Sequence, residues 1–357
     1  MINVTKSYLP DLAEYTRYLE GVWERVHLTN DGPLVKELEA QLKEYLGVKH
    51  LSFCTNGTIV LQMALKALNI TKEVITTPFS YCATTNAILW ENCTPVFADI
   101  RADDYCINAD LIEPLITEHT QAIMATHVYG NACRVDDIAA LAEKYNLKVI
   151  YDAAHAFGAR YNGQSLLGYG DISTCSFHAT KVFHTIEGGA IITNDDALAE
   201  QLRLYRTFGH RNDDYYLAGI NGKNSEFHAA MGLCNLPRVP ELIAQRKQAF
   251  GWYDARLDFS RLYRPTLTPG MEYNYAYYPL VLESEERLHT VTDALKADGV
   301  LPRRYFYPSL NTLKFTGPYQ PCPVSEDIAL RVLCLPMFPG LAEADADRIA
   351  RIVNDNV

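Results

Sequence analysis

Between Leu51 and Thr193 the chain repeats one pattern, a short run apolar throughout followed by an amphipathic stretch of helical period. The apolar runs are 51–54, 74–77, 95–98, 122–126, 148–151 and Ile172–Phe177, and the Gly188-Gly189 pair introduces one more, ending at Thr193. Helices are expected at 58–68, 82–91, 109–117, 136–145 and 195–206. A strand that is apolar on both sides of its pleat has no face to offer water. Such strands, alternating with helices, predict an α/β fold whose mainly parallel sheet is covered on both faces.

The flanks read differently. Helices are expected at 10–28 and 34–46, separated by Leu28-Thr29-Asn30-Asp31-Gly32-Pro33. After a Gly/Asn-rich loop at 209–224, a helical stretch runs from Ser225 with an interruption at Pro237 and Pro240. From about 250 the pattern becomes α+β, with a strand over 275–282 and helices over 285–298 and 342–354. A boundary is expected near 245–255, giving a large domain (1–250) and a smaller C-terminal one (251–357).

Composition excludes several classes. The formal charge of −11 and the absence of a long basic run argue against nucleic acid or an anionic membrane as partner. Nine cysteines, an odd count without C-x-x-C or zinc-like spacing, read as reduced thiols, and no metal site is expected. The N-terminal residues lack a signal-peptide core and no apolar run is long enough to span a bilayer, so a soluble, cytoplasmic protein is expected.

In an open α/β sheet ligands gather at the carboxyl ends of the strands. Reading those ends in order gives Thr55-Asn56-Gly57-Thr58, then Pro78-Phe79-Ser80-Tyr81, then His127-Val128-Tyr129-Gly130, Asp152-Ala153-Ala154-His155, and finally His178 and Lys181. Thr55–Thr58 offers amides and hydroxyls at the positive end of a helix, which suits either a phosphate or a plain N-cap. It is not a P-loop, and no G-x-G-x-x-G follows the first strand. Asp152 among apolar neighbours needs a partner, either a turn it caps or the protonated nitrogen of a bound ring. Tyr81 is a core aromatic or a plate for a planar ligand, and Thr174 and Ser176 default to satisfied hydroxyls. Lys181, just beyond the end of a buried strand, is a solvated surface residue or a partly desolvated amine suited to imine chemistry. A phosphate cup, an aromatic plate, an acid and an amine are together what pyridoxal phosphate asks of a protein.

These motifs resemble those of the DegT/DnrJ/EryC1/StrS sugar aminotransferases, which are fold-type I pyridoxal-phosphate enzymes. The resemblance spans nearly the whole chain. It rests on Thr-Asn-Gly-Thr (55–58), Thr-Pro-Phe-Ser-Tyr (77–81), Pro-Val-Phe-Ala-Asp (95–99), Asp-Ala-Ala-His-Ala-Phe-Gly-Ala (152–159), Ser-Phe-His-Ala-Thr-Lys (176–181), Glu-Gly-Gly-Ala (187–190) and the Asn221–Ala230 block. It implies a seven-stranded, mainly parallel sheet and a smaller C-terminal α+β domain. It also implies that Lys181 holds the cofactor through an imine and later shuttles a proton, and that Asp152 keeps the pyridine nitrogen protonated. His155 would lie against the ring, Tyr81 would stack on it, and Gly57, Thr58 and Ser176, with Asn56 beside them, would hold the phosphate. Asn221 would reach that phosphate from the partner in a homodimer with shared sites. Candidate substrate contacts are Asn30, His178, Lys223, which stands where the family usually has Arg, and Arg303 and Tyr305 of the Pro302–Pro308 segment.

The implied reaction moves an amino group from L-glutamate to a nucleotide-linked keto-deoxysugar. The expectation is a 4-keto-6-deoxyhexose on dTDP or UDP, first of all dTDP-4-keto-6-deoxyglucose, made into a 4-amino-4,6-dideoxysugar for glycoprotein or for surface polysaccharide such as lipopolysaccharide O-antigen. The alternatives are a 3-aminotransferase on a dTDP- or UDP-linked 3-keto sugar and a non-catalytic, cofactor-binding regulatory protein. A sugar dehydratase is disfavoured, because such relatives carry His where this chain has Lys181.

Overall fold

A computed structural model describes all 357 residues. Two helices lead in, α1 (Leu12–Arg25) and α2 (Pro33–Leu46). Pro33 sits in the first turn of α2, where its missing N–H costs nothing, and Leu34, Val35, Leu38, Leu42 and Leu46 form its buried stripe. The Leu34 and Val35 amides, orphaned at that helix start, each donate to the fully buried Glu226 carboxylate at 3.0 Å.

The alternating region follows as β1 (His50–Cys54), α3 (Gly57–Ala67), β2 (Glu73–Thr76), α4 (Cys82–Trp90), β3 (Thr94–Phe97), β4 (Thr120–Thr126), α5 (Val135–Tyr145), β5 (Lys148–Asp152), β6 (Ile172–Ser176), β7 (Gly189–Thr193) and α6 (Asp196–Arg206). The sheet order is β1-β7-β6-β5-β4-β2-β3, and β7 alone runs antiparallel to its neighbours. The loop carrying Lys181 therefore joins two adjacent strands directly, with no crossover helix. Alternate residues of each strand enter different cores. Ala122, Met124, Ile150, Ile172 and Ile191 pack with Val60, Ala64, Ile88 and Leu202 of α3, α4 and α6. Ile123, Ala125, Val149 and Tyr151 face the other way, onto Val135, Ile138 and Ala142 of α5. Cys175, Ala190 and Ile192 meet Leu38 and Leu42 of α2 and Leu233 of the next helix. The sheet is thus covered on both faces, as the apolar strands predict.

Beyond α6 come α7 (Glu226–Asn235), α8 (Val239–Arg256), β8 (Tyr278–Val281), α9 (Glu285–Ala297), α10 (Pro323–Arg331), β9 (Val332–Leu335) and α11 (Glu343–Asn356). Helix α8 runs unbroken through the expected 245–255 boundary. Its Val239 packs on the sheet side, whereas its Ala249 and Tyr253 join a separate core made with Leu280, Leu288, Leu333 and Ile349. No helix is long and apolar enough to cross a membrane.

Two expected elements differ. In place of a helix over 109–117 there are two single 3-10 turns, Ala109–Leu111 and Glu113–Leu115. Pro114 has no N–H to donate and its ring crowds the preceding turn, so a longer helix cannot form. The strand expected over 275–282 pairs only from Tyr278, because Tyr275 takes a left-handed φ of 54°.

Candidate active site

The carboxyl ends of β1, β4, β5 and β6 converge on one cavity of about 330 Å³. It is lined by Asn56, Gly57, Thr58, Tyr81, Asp152, His155, Ser176 and Lys181, and by His178, Arg303 and Tyr305 among the expected substrate contacts.

The phosphate cup forms where β1 turns into α3. Asn56 is the N-cap, its Oδ1 accepting from the Thr58 amide at 3.0 Å and the Ile59 amide at 2.9 Å. The cap reading of this stretch therefore holds, and the Thr58 amide is engaged within the chain. The Gly57 amide donates to no protein atom, and it points from the positive end of α3. Glycine is required there by close approach, since a Cβ on Gly57 would lie 2.8 Å from Ser176 Cβ. Across the strands, a Cβ on Gly189 would lie 2.4 Å from the Asn56 carbonyl oxygen, which explains the second glycine of the Gly-Gly pair.

Asp152, at the end of β5, is buried without a salt-bridge partner. Its Oδ2 accepts from Thr84 Oγ1 at 2.6 Å and its Oδ1 from the Ala154 amide at 3.1 Å. The His155 ring stacks on Phe306 (5.5 Å between centroids, 6° between planes) and meets the edge of Tyr277, while its Nδ1 is buried with no partner. Burial, reinforced by the nearby Lys181 charge, holds the His155 imidazole well below its ordinary pKa, so the ring is neutral. Loss of hydration likewise lowers the Lys181 ammonium below its ordinary range, partly opposed by Asp152. The strand-end position thus produces a destabilised ammonium, the state from which a nucleophilic amine is released. Tyr81 is 59% exposed at the cavity, which excludes the core-aromatic reading.

A free amide with a hydroxyl beside it, a buried carboxylate of spare acceptor capacity, an unpartnered imidazole nitrogen and a desolvated amine fit pyridoxal 5′-phosphate. The Gly57 amide and Ser176 hydroxyl would hold the phosphate, Asp152 the ring nitrogen, and Lys181 the aldehyde.

His178 shares a 2.8 Å hydrogen bond with Thr180 and lies 3.6 Å from Glu187. Arg303 is exposed at the cavity and forms no ion pair, its guanidinium lying 5.8 Å from the Tyr305 ring centre. Three expected residues lie outside the cavity of their own chain. Asn30 is in the exposed α1–α2 turn, with φ 63°. Asn221 Oδ1 accepts from Lys223 Nζ at 2.7 Å, and that ammonium sits 4.6 Å over the Phe208 ring. Glu187, Tyr277 and Phe306 line the cavity without having been singled out from sequence, and so do Ser80 and Thr126, whose hydroxyls are buried. The signal available for Ser80 and Thr126 was their place at strand ends; Phe306 lies in the Pro302–Pro308 segment that the resemblance marks, and Tyr277 carries no signal.

The model of the DegT/DnrJ/EryC1/StrS aminotransferase family matches residues 11–354. The chain is 41% identical over 360 residues to a dTDP-4-amino-4,6-dideoxy-D-glucose transaminase of Shigella dysenteriae, covering 99% of this chain and 97% of the relative. It is 39% identical over 376 residues to the enzyme of the same name from Escherichia coli, covering 99% and 98%. Among solved structures, DesI in the presence of its TDP-sugar product superposes with a TM-score of 0.93 at 32% identity, covering 98% of this chain and 91% of that one. With a fold-type I architecture, a cavity fitted to pyridoxal phosphate and a family match over nearly its whole length, the chain belongs to the DegT/DnrJ/EryC1/StrS family of pyridoxal-phosphate-dependent sugar aminotransferases.

Proposed function

We propose that this enzyme moves an amino group from L-glutamate to the C4 carbonyl of a dTDP-linked 4-keto-6-deoxyhexose, giving a 4-amino-4,6-dideoxysugar and 2-oxoglutarate. The observation that carries the reading is the meeting of Lys181 and Asp152 in one cavity. The choice of sugar is supported by the two transaminases that match over their full length. When bound, pyridoxal phosphate supplies a carbonyl to carry the amino group and a ring that takes up the electron pair released at the substrate carbon. The protein does the rest. Asp152 holds a proton on the ring nitrogen, which makes that ring a better electron sink. Lys181, its ammonium disfavoured by burial, takes and returns the proton at the substrate carbon. Tyr81 and the ring of His155 fix the plane of the cofactor, and Gly57 and Ser176 anchor its phosphate. Arg303, a guanidinium free of carboxylates at the cavity, offers an anchor for an anionic part of either substrate. The product would serve as a donor for surface polysaccharide such as O-antigen.

The working unit in this reading is a homodimer in which Asn221 serves the neighbouring site. Asn221 lies outside its own cavity, and the loop before it exposes Phe208, Tyr215 and Tyr216, three aromatic rings suited to burial against a second copy. Residues 1–250 would hold the cofactor and 251–357 would form the smaller unit, in keeping with the separate core that begins at Ala249. Purified protein incubated with pyridoxal phosphate should show a visible absorbance band that glutamate bleaches and Lys181→Ala lacks. Glutamate with dTDP-4-keto-6-deoxyglucose should then give a product whose nitrogen is placed on C4 by NMR. No band in the wild type would overturn the cofactor reading, and nitrogen on C3 the choice of carbon. Mixed dimers of Asn221 and Lys181 variants should recover one good site in the shared arrangement.

A further inference from the structure

We infer that Thr84, which lies behind the cavity and does not line it, is a positioning residue that sets the direction of the Asp152 carboxylate through a chain of three buried hydroxyls. The inference rests on the cofactor reading above. The chain runs Thr126–Ser80–Thr84–Asp152, with oxygen separations of 3.1, 2.7 and 2.6 Å. Its direction follows from counting protons. An ionised Asp152 can only accept, so Thr84 spends its single hydroxyl proton on Oδ2. Thr84 must then accept from Ser80, and Ser80 in turn from Thr126. Thr84 is fully buried and lies off the cavity that Ser80 and Thr126 line, so water has no room to take the place of its hydroxyl.

The three hydroxyls come from separate elements: the end of β4, the loop after β2 and the first turn of α4. Asp152 is the only charge in the chain, and its other protein donor is the Ala154 amide two residues along. With Oδ2 tied to Thr84 and Oδ1 to the Ala154 amide, each oxygen keeps acceptor capacity to spare and the direction in which the carboxylate meets a proton on the cofactor ring is fixed. A rotated carboxylate would still be a buried anion, but it would not meet that proton squarely. Thr84 therefore acts on the reaction through Asp152, without touching cofactor or substrate.

The test uses Thr84→Val, which keeps the shape and removes the hydroxyl, and Thr84→Ser, which keeps the hydroxyl. Apoprotein of each is titrated with pyridoxal phosphate, its thermal midpoint is measured, and glutamate turnover is followed after reloading. Loss of a hydrogen bond to a buried charge should weaken cofactor binding and lower kcat in Thr84→Val by roughly tenfold or more, with KM for glutamate little changed. Thr84→Ser should recover most of both. Wild-type affinity and kcat in Thr84→Val would overturn the inference, as would equal damage in both variants, which would mark a packing role. Should Thr84→Val not fold, Thr84→Ala against Thr84→Ser decides the same question. A wild type without a visible band would sink the cofactor reading instead, whereas failure of this inference leaves that band intact.

Discussion

Replacing Gly57 by Ala adds one methyl group at the phosphate cup. Built on the present backbone, its Cβ falls 2.8 Å from Ser176 Cβ, 3.2 Å from Ser176 Oγ and 3.3 Å from Ser176 Cα. Ordinary contact begins at 3.4 Å, so the start of α3 must retreat from β6 by roughly half an ångström. Ser176 Cα belongs to a strand paired on both sides and cannot yield alone. Overpacking of this kind costs about 1–3 kcal/mol, and Ala recovers at most ~1 kcal/mol of helix propensity over Gly. The apoprotein should therefore lose between about 0 and 3 kcal/mol. Cofactor binding should suffer independently. The methyl covers the Ser176 hydroxyl and the retreat carries away the free amide of Gly57, so at least one hydrogen bond to a phosphate is lost. Such a bond contributes about 1.5–3 kcal/mol, which corresponds to a dissociation constant raised roughly 10- to 100-fold. Titration of the apoprotein with pyridoxal phosphate, beside its urea unfolding curve, separates the two effects. Unchanged affinity in a stably folded variant would refute a phosphate site at this helix start.

Lys181→Met should raise the thermal midpoint of the apoprotein at pH 7, because burial disfavours the ammonium that the methionine replaces. Between the lowered native pKa and the ordinary value of 10.5 the unfolded chain binds more protons than the folded one, so wild-type stability climbs with pH there. The variant's advantage should shrink across that window, and an advantage that widens would contradict the sign. Glu226→Ala orphans the Leu34 and Val35 amides and opens a cavity between α2 and α7, so unfolding in urea should reveal a loss of about 3 kcal/mol. A loss below about 1 kcal/mol would mean that solvent reaches those amides.

The sheet and most of the site were legible because they depend on local order: apolar runs, the turn that ends each one, and the residue that follows. Lys181, Asp152, Gly57 and Ser176 all stand at such positions. What was not legible depends on neighbours distant in the chain. Thr84 reads as an unremarked helix residue until α4 is laid against the end of β5, and its partner Asp152 is 68 residues away. Phe306 and Tyr277 reach the cavity only because the C-terminal third folds back over the sheet. The 109–117 stretch failed for a local reason, the weight of Pro114 against an otherwise helical spacing. Asn56 shows that cap and phosphate cup are one motif, since the same turn that satisfies the Thr58 and Ile59 amides leaves the Gly57 amide free.

The single antiparallel strand has a further consequence. Because β6 and β7 are neighbours joined by a hairpin, the Lys181 loop is clamped at its base, Phe177 N to Gly188 O at 2.8 Å and Thr185 N to Phe177 O at 2.9 Å, with no helix whose packing depends on its length. Elsewhere in the sheet an inserted or deleted residue would have to be absorbed by a packed crossover. Within the part of this loop from His178 to Lys181, ahead of the buried Val182–Thr185 where Phe183 packs on Phe157 and Phe177, it would leave every strand in register and carry the amine away from Asp152. Reactivity is thus mechanically separable from folding, and the scaffold could lose its chemistry in one small deletion while keeping its shape, its cup and its aromatic wall.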